Sequence, residues 1–600
     1  MVQKSNEYIM SLSIEEAVIT SVKGLNWQIN QYDPRQILAF GQKLDLPEVI
    51  ARILLKRGIT IEHTPDYLAP TLKKLLPDPM HLLDMNKAAL RLANAVKKQE
   101  QVVIFGDYDV DGATSSALLK RFFASVGLSV GVYIPDRIKE GYGPNGEAFR
   151  NLKKQGTQII ITVDCGTAAF DALETAAEIG LEVIVIDHHL GSEILPKAVA
   201  IVNPNRLDET SPYKYLAAVG VSFLLAVAVN STLREQGFYQ LGKEPSLLNL
   251  LDLVALGTVC DIVPLEGLNR AFVVQGLKIL AKRNNLGLAV LADVVRLSEV
   301  PGTYHLGFVL GPRINAGGRV GESDLGSRLM TTEDCDDAQI IAKQLDHYNA
   351  ERKAIETLVL DEAMLAAEQL SADSSVIFVA GSNWHPGVIG IVASRLKEKF
   401  NKPTAIVSLL ENGIGKASCR SVKGVDFGSS IFAAKALGLV IEGGGHAMAA
   451  GFSVAHDKVA ELHQFLDDKF KQDLSKLSNQ KHHYFDGYLS CNGINLELAN
   501  LIERVGPFGA NAPEPRFMLN DCLLFKVDII AGAHISCILG HKSGLGSKSI
   551  KATAFRAIDT SIGKILLSSK GRELNIIGYL RINRWNGTEK AEFIIEDVLV

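Results

Sequence analysis

Six hundred residues are too many for one hydrophobic core and imply several packed units, while 47% hydrophobic and 22% charged residues are the proportions of a water-soluble globular chain. The formal net charge of −5, taken whole, argues against a surface built for nucleic acid. Seven cysteines, an odd number with no Cys-x-x-Cys pair, exclude a disulfide framework and suit a reducing, cytoplasmic setting.

The opening Met1-Val-Gln-Lys-Ser carries no signal-peptide pattern. Residues 1–85 read as helices punctuated by Pro70, Pro77 and Pro79. The run Val102 to Phe105 then behaves as a strand, and the loop after it places Asp107, Asp109 and Asp111 at alternate positions. Uncompensated carboxylates this close repel one another. A buried strand ending in a tight, Gly-flanked loop would fan them toward one point, where a divalent cation can hold them together.

Two further runs end in the same chemistry: Ile159 to Val163 leads into Asp164-Cys-Gly166, and Val183 to Ile186 leads into Asp187-His188-His189. Continuous β-branched runs without a solvent face are strands of a parallel sheet covered on both sides, here with helices over Gly112 to Val126 and Ala168 to Ile179. Ligands of such sheets lie beyond the carboxyl ends of the strands, so the acidic clusters are predicted to converge. Leu216 to Val229 is apolar but too short to cross a bilayer and reads as a buried helix, not a membrane segment. Asp261, a lone carboxylate, closes a largely apolar helical segment that begins near Leu247 and needs a partner there.

Together Asp107, Asp109, Asp111, Asp164, His188 and Asp261 offer enough oxygen and nitrogen donors for two adjacent ions, with one carboxylate bridging. Such a pair, roughly 3.5–4 Å apart, activates a water and stabilises the leaving oxygen in phosphoester displacement. Oxygen-rich ligation without thiolates favours Mn²⁺ or Mg²⁺ over structural zinc. Alone, the aspartate triplet would equally suit a solvated turn; beside Asp164 and Asp187-His188-His189 the metal reading prevails.

Farther along, no Gly or Pro interrupts the helical spacing from Thr332 to Leu370, which predicts a long connecting helix over 333–372, capped by Thr332 or Ser371. A second α/β unit starts with the strand Ser375 to Ala380. It carries groups suited to phosphate: Ser418 and Arg420, Arg395 after the His385 loop, and the backbone of Gly443, Gly444 and Gly445 before His446. Arg313 and Asn315 either line the cleft between the units or pack at the hinge. The last 120 residues alternate short apolar runs with Gly, Asn and Ser turns, which predicts a small β-barrel. Within it, residues 521–600 hold 11 Lys plus Arg against 8 Asp plus Glu, a basic excess in an acidic chain.

The ordered motifs Asp107-Tyr-Asp-Val-Asp-Gly112, Val163-Asp-Cys-Gly166, Asp187-His-His189 and Gly257-Thr-Val-Cys-Asp-Ile-Val-Pro-Leu265 resemble the DHH phosphoesterase superfamily. Gly311-Pro-Arg-Ile-Asn-Ala-Gly-Gly-Arg319, Trp384-His-Pro-Gly-Val-Ile-Gly390 to Arg395 and Gly443-Gly-Gly-His-Ala-Met-Ala-Ala-Gly451 resemble its RecJ exonuclease branch, so the likeness covers most of the chain. It implies an α/β fold: a helical extension over 1–85, a parallel-sheet DHH catalytic domain over 86–332, and the connecting helix. A DHH-associated substrate-binding domain over 373–475 and an oligonucleotide-binding (OB) β-barrel over 476–600 complete it. Ala510-Asn-Ala512 lacks the glycine that family members often place there, so that loop is expected to differ.

The resemblance makes His188 a metal ligand and Asp109, Asp111, Asp164, His188 and His189 the catalytic set. His189 would orient the site or meet the scissile phosphate, and Asp187 would either hold the imidazoles or ligate. Arg137 with Ser418 and Arg420 resembles a pocket for a 5′-terminal phosphate. The implied activity is 5′ to 3′ degradation of single-stranded DNA to 5′-mononucleotides in recombination and repair, alongside a single-stranded-DNA-binding protein and a RecQ-type helicase. Two rivals are a DHH-type hydrolase of small nucleotides or polyphosphate and a DNA-binding scaffold with a dead site. Chain length, Asp at position 107 and the barrel-like end oppose the first; the complete ligand set opposes the second.

Overall fold

The structure, a computed structural model, describes residues 19–137, 140–240, 243–370, 373–476, 482–541, 548–585 and 587–599; the opening Met1 to Ser5 and the candidate cap Ser371 lie outside them. Two compact units result, Leu76–Val263 with Phe272–Asn479, and Met1–Leu75 with Pro264–Ala271 and Gln480–Val600.

In the first of these units, the β-branched runs form a five-stranded sheet in the order Val130–Tyr133, Val102–Gly106, Ile159–Val163, Glu182–Ile186 and Ala200–Val202, every pair parallel. Register sets where the strands end. Gly106 pairs with Val163, Val163 with Ile186 and Ile186 with Val202, so these four strands stop at one level. The ladder runs one step further, Asp107 N donating to Val163 O, Asp164 N to Ile186 O and Asp187 N to Val202 O. Asp107, Asp164, Asp187 and Asn203 therefore form a row along the carboxyl edge.

Helices Val110–Ser125, Ala218–Glu235 and Leu251–Cys260 cover the acidic edge from one side. Ala218–Glu235 is long and apolar enough to cross a membrane, yet its residues are largely buried in this unit, as core-helix residues are. These helices approach closely at Gly257, where a Cβ would lie 2.3 Å from Thr114 Oγ1 and 2.8 Å from Val219 Cγ1.

The connecting helix is Cys335–Glu368, 34 residues, or roughly 50 Å at 1.5 Å per residue. Its N-cap is Asp334 and not Thr332: the Asp334 carboxylate accepts from the amides of Asp336 and Asp337, a stronger cap than a residue two positions outside the first turn can make. This helix packs on Gly311–Val320 from the DHH lobe and on Ile389–Phe400 from the next. The latter lobe is a mixed five-stranded sheet with Glu442–His446 on its edge.

In the other unit, strands Phe517–Ile530, His534–Gly540, Ile550–Ala554, Thr588–Leu599 and Glu573–Trp585 pair in a closed ring, the barrel expected of the C-terminal segment. Helices Pro34–Leu44 and Glu48–Lys56 share its core: Ile50, Ile53 and Leu54 lie in one cluster with Phe517, Leu524 and Phe593. The N-terminal segment is also not purely helical. Asn26–Ile29 pairs in parallel with His482–Phe485, and buried Trp27 donates its indole N–H to Asp597 at 2.9 Å. Four residues are too few to show a period in sequence, and the partner strand lies near the far end of the chain.

Alanine is ordinarily favoured over glycine in a helix by about 1 kcal/mol. At residue 257 the sign should reverse: Gly257→Ala forces Thr114 and Val219 apart and should destabilise this unit by about 1–3 kcal/mol, measured as a lower unfolding midpoint in calorimetry.

Candidate metal centre and phosphate pocket

Three donor groupings arise where the strands end: Asp107 with Asp109 and Asp164; Asp111 with His188 and Asp261; and Asp164 with His188 and His189, the donor atoms of each lying within 4.8 Å of one another. The groupings overlap at Asp164 and His188, so all six residues proposed from sequence as ligands meet in one cluster. His188 Nε2 lies 3.3 Å from Asp164 Oδ1, 3.6 Å from Asp261 Oδ2 and 4.0 Å from Asp111 Oδ2. Asp164 is held at φ +61°, a strained conformation for a non-glycine residue that aims its carboxylate into the cluster.

The backbone holds several of these anions. Asp109 caps helix Val110–Ser125, accepting from the amides of Asp111 and Gly112. Asp111 accepts from Ala218 N at 2.7 Å and Val219 N at 2.9 Å, so it also caps helix Ala218–Glu235, whose own preceding residue is an alanine. Asp187 enters none of the three groupings. It accepts from Thr167 N, His188 N, His189 N and, at 2.7 Å, His189 Nδ1, an arrangement that orients the second imidazole. Asn205 and Asn203 grip the carbonyls of His188 and His189 from below.

Burial and mutual repulsion make the remaining carboxylates poor anions. Burial first, then the Asp109 charge, raises Asp107 well above the usual carboxylate range; burial followed by the charges of Asp109 and Asp111 does the same for Asp164. Asp261 is pushed up to about 9 by burial and by Asp111 and Asp109, and Asp111 to about 7 by burial and Asp109. Burial lowers His188 to about 4, leaving it a neutral imidazole suited to ligation. Asp187 goes the other way: burial opposes ionisation, but the bond from His189 and those from Thr167 hold it far below the usual range.

Asp107 Oδ1, His188 Nε2 and Asp261 Oδ2 are buried and find no hydrogen-bond partner among the described residues. Orphaned donors and acceptors of this kind are costly unless something satisfies them. One neutral nitrogen among carboxylate oxygens is the donor set of a hard or borderline divalent cation, so the residues fit Mn²⁺ or Mg²⁺.

Cations crowd nearby as the acids do. The Arg137 guanidinium lies 5.0 Å over the Tyr108 ring. Its charge adds to burial in lowering Arg319, to about 10, and adds to burial again in lowering Arg420 and His385. Arg420 donates to Ser418 Oγ at 3.3 Å, and an added Cβ on Gly390 would touch both. Cations lowered by burial and by a neighbouring guanidinium, with a hydroxyl among them, are what an oxyanion would relieve.

Arg319 is the group that sequence reasoning missed, although it ends the quoted Gly311 to Arg319 motif. Gly318 lets its helix reach the metal loop, since a Cβ there would sit 2.8 Å from Tyr108 O. Arg319 then donates to Gly387 O at 2.9 Å, joining that loop to the next lobe. The Gly317-Gly318 pair before a basic residue was the available signal. Asn315 and Arg395 line a neighbouring cavity of about 500 Å³ with Phe308, Arg319 and Arg352. Arg313 does not line it. Its guanidinium bonds Asp346 at 2.8 Å and Val309 O at 2.7 Å, which ties the helix to the connecting helix. Gly444, Gly445 and His446 lie on the exposed edge strand of the second lobe.

A parallel sheet whose carboxyl edge gathers aspartates and an imidazole beside a basic pocket defines a metal-dependent phosphoesterase of the DHH class. The chain matches the DHH family, N-terminal domain, over residues 101–258, the DHHA1 domain over 373–472 and the RecJ OB domain over 485–597. It is 33% identical over 584 residues to the single-stranded-DNA-specific exonuclease RecJ of Bacillus subtilis (strain 168), covering 96% of this chain and 71% of that one. With the RecJ of Haemophilus influenzae (strain ATCC 51907 / DSM 11121 / KW20 / Rd) it shares 37% over 553 residues, 90% of this chain and 95% of the relative. The crystal structure of RecJ from Thermus thermophilus in complex with Mn²⁺ superposes with a TM-score of 0.79 at 27% identity, covering 96% of this chain and 80% of that one. The chain belongs to the RecJ family.

Carboxylates with raised pKa values hold protons that a cation must displace. Titrating the ion-free protein with Mn²⁺ near neutral pH should release protons, seen as a calorimetric heat that scales with the ionisation enthalpy of the buffer. The same protons set the sign for stability. Because the folded chain holds them where the unfolded one has already lost them, ion-free stability falls as pH rises from the ordinary carboxylate range toward about 9, and Mn²⁺ should remove that fall. A buffer-independent heat would contradict the assignment.

Proposed function

We propose that this chain is a 5′ to 3′ exonuclease specific for single-stranded DNA, releasing 5′-mononucleotides with Mn²⁺ or Mg²⁺ in DNA recombination and repair. The observation that carries it is the joining of three donor groupings through Asp164 and His188, next to a pocket of cations that repel. Asp107, Asp109 and Asp164 would hold one ion and Asp111, His188 and Asp261 the other, with Asp164 shared. Bound ions supply Lewis acidity, activating the attacking water and neutralising charge on the phosphoryl and leaving oxygens. The T. thermophilus RecJ structures in complex with Mn²⁺ and with Mg²⁺ agree with that choice of metals.

The chain's own groups do the rest. His189 is held at Nδ1 by Asp187; burial lowers its pKa, but the bond and charge of Asp187 more than offset this, so a raised pKa favours an imidazolium able to pair with the scissile phosphate. Arg137, Ser418 and Arg420, with His385, would take the 5′-terminal phosphate, which sets polarity because an internal nucleotide has no free phosphate end to offer. Arg319, Asn315 and Arg395 would guide the strand. The edge-strand backbone at Gly444 and Gly445, with His446, would meet further phosphates. In the barrel, a cavity of about 720 Å³ rimmed by Lys548, Lys551 and Lys590 suits the rest of the strand, and a solvated polyphosphate hydrolase would have no use for it. A single-stranded-DNA-binding protein and a RecQ-type helicase would supply unpaired ends, in the cytoplasm.

Digestion of 5′-labelled single-stranded and duplex DNA with Mn²⁺, Mg²⁺ or chelator tests the reading. Labelled mononucleotides should appear at once from single strands and vanish with chelator; release first from the 3′ end sinks it. Asp164→Ala should lower hydrolysis by more than roughly a hundredfold while DNA binding persists, since both ions lose a ligand and the phosphate grip does not. Arg420→Ala should slow 5′-phosphorylated strands roughly tenfold more than 5′-hydroxyl strands, because only the former lose a charge-assisted contact. Equal slowing would move Arg420 out of the end pocket.

A further inference from the structure

His305–Leu310 is a π-helical segment running into helix Gly311–Val320. Its inner face is fixed: Leu306 and Leu310 are buried, and Cys260, next to Asp261, lies with Sγ 3.4 Å from Leu306 O. Its outer face is unusual. Tyr304 is 64% and Phe308 73% exposed, and the two rings stack on each other with centroids 5.4 Å apart and planes at 24°. Neither ring contributes to a core, so folding does not account for them. Phe308 opens onto the cavity that holds Asn315, Arg319, Arg352 and Arg395.

We infer that Tyr304 and Phe308 form a stacking platform for the unpaired bases of the substrate strand, a specificity element of the reaction proposed above, on which this inference rests. A flat, exposed aromatic pair beside guanidinium groups matches a ligand that alternates apolar planar faces with anions along one chain. A protein surface would be selected by neither feature, and a mononucleotide phosphate would need only the arginines. Pre-stacked rings lose little freedom on receiving a base, and every base offers a π-face, so the platform is indifferent to sequence. Since the segment is packed against the residue beside Asp261, the bases it receives belong to nucleotides downstream of the one being released.

The test compares the wild type with Tyr304→Ala/Phe308→Ala in the full chain on two 5′-phosphorylated strands, one normal and one abasic from the third to the tenth nucleotide. Both rings are exposed, so the variant should keep the wild-type melting temperature. On the normal strand its KM should rise roughly tenfold or more with kcat within about twofold, and Tyr304→Phe/Phe308→Trp should restore it. On the abasic strand wild type and variant should coincide. Equal losses on both strands, or an unchanged KM on the normal strand, overturn the platform. Failure of the wild type to cut single strands at all would instead overturn the exonuclease reading.

Discussion

Anionic crowding at the ends of three parallel strands governs this molecule. Gly106, Val163 and Ile186 stop in register, and the aspartates after the first two point into the same dry space. Placing several carboxylates there is unfavourable in itself, because desolvation and mutual repulsion both oppose ionisation. The fold contains the problem locally. Helix starts absorb Asp109 and Asp111, and an imidazole with backbone amides absorbs Asp187. Asp107, Asp164 and Asp261 are left crowded, Asp111 is still raised to about 7, and a divalent cation is the partner whose charge and coordination match.

The basic pocket is the counterpart of the same arrangement. The Arg137 charge adds to burial in lowering both Arg319 and Arg420, and among the described residues none of the three has a carboxylate ion-pair partner. Arg313 and Arg352 show the contrast, each with a carboxylate or amide partner on the connecting helix. Arg313 and Arg352 are matched to acids, whereas Arg137, Arg319 and Arg420, with no acid partner among the described residues, gather where a phosphate would come. A chain of net negative charge can thus present a phosphate site, because what a ligand meets is the local field and not the total.

Most of this was legible because the candidate ligands sit on local patterns. A β-branched run leading into an aspartate is visible in a handful of residues, and a gap-free helical stretch reveals the connecting helix. What stayed hidden depends on distant approach. Arg319 matters only because Gly318 allows contact with Tyr108, far earlier in the chain, and strand Asn26–Ile29 exists only because His482–Phe485 pairs with it. The aspartate that caps Ala218–Glu235 lies on another helix altogether, so no local reading of Ala217 could find it. Tyr304 and Phe308 fall in a stretch whose π-helical turn has no sequence period to announce it.

Metal ions and arginines recognise phosphates, and phosphates are common to single strands and duplexes alike. Neither the carboxylate cluster nor the Arg137, Ser418 and Arg420 pocket can therefore be the source of a preference for unpaired DNA. Groups that need a bare base face can supply that preference. In a duplex those faces are already stacked, and exposing one costs a few kcal/mol per base before any contact is gained. An exposed aromatic pair next to the centre offers stacking only to a strand that arrives unstacked. On the reading proposed above, chemistry and strand choice are carried by different residues, the first buried at the sheet's edge and the second left in solvent.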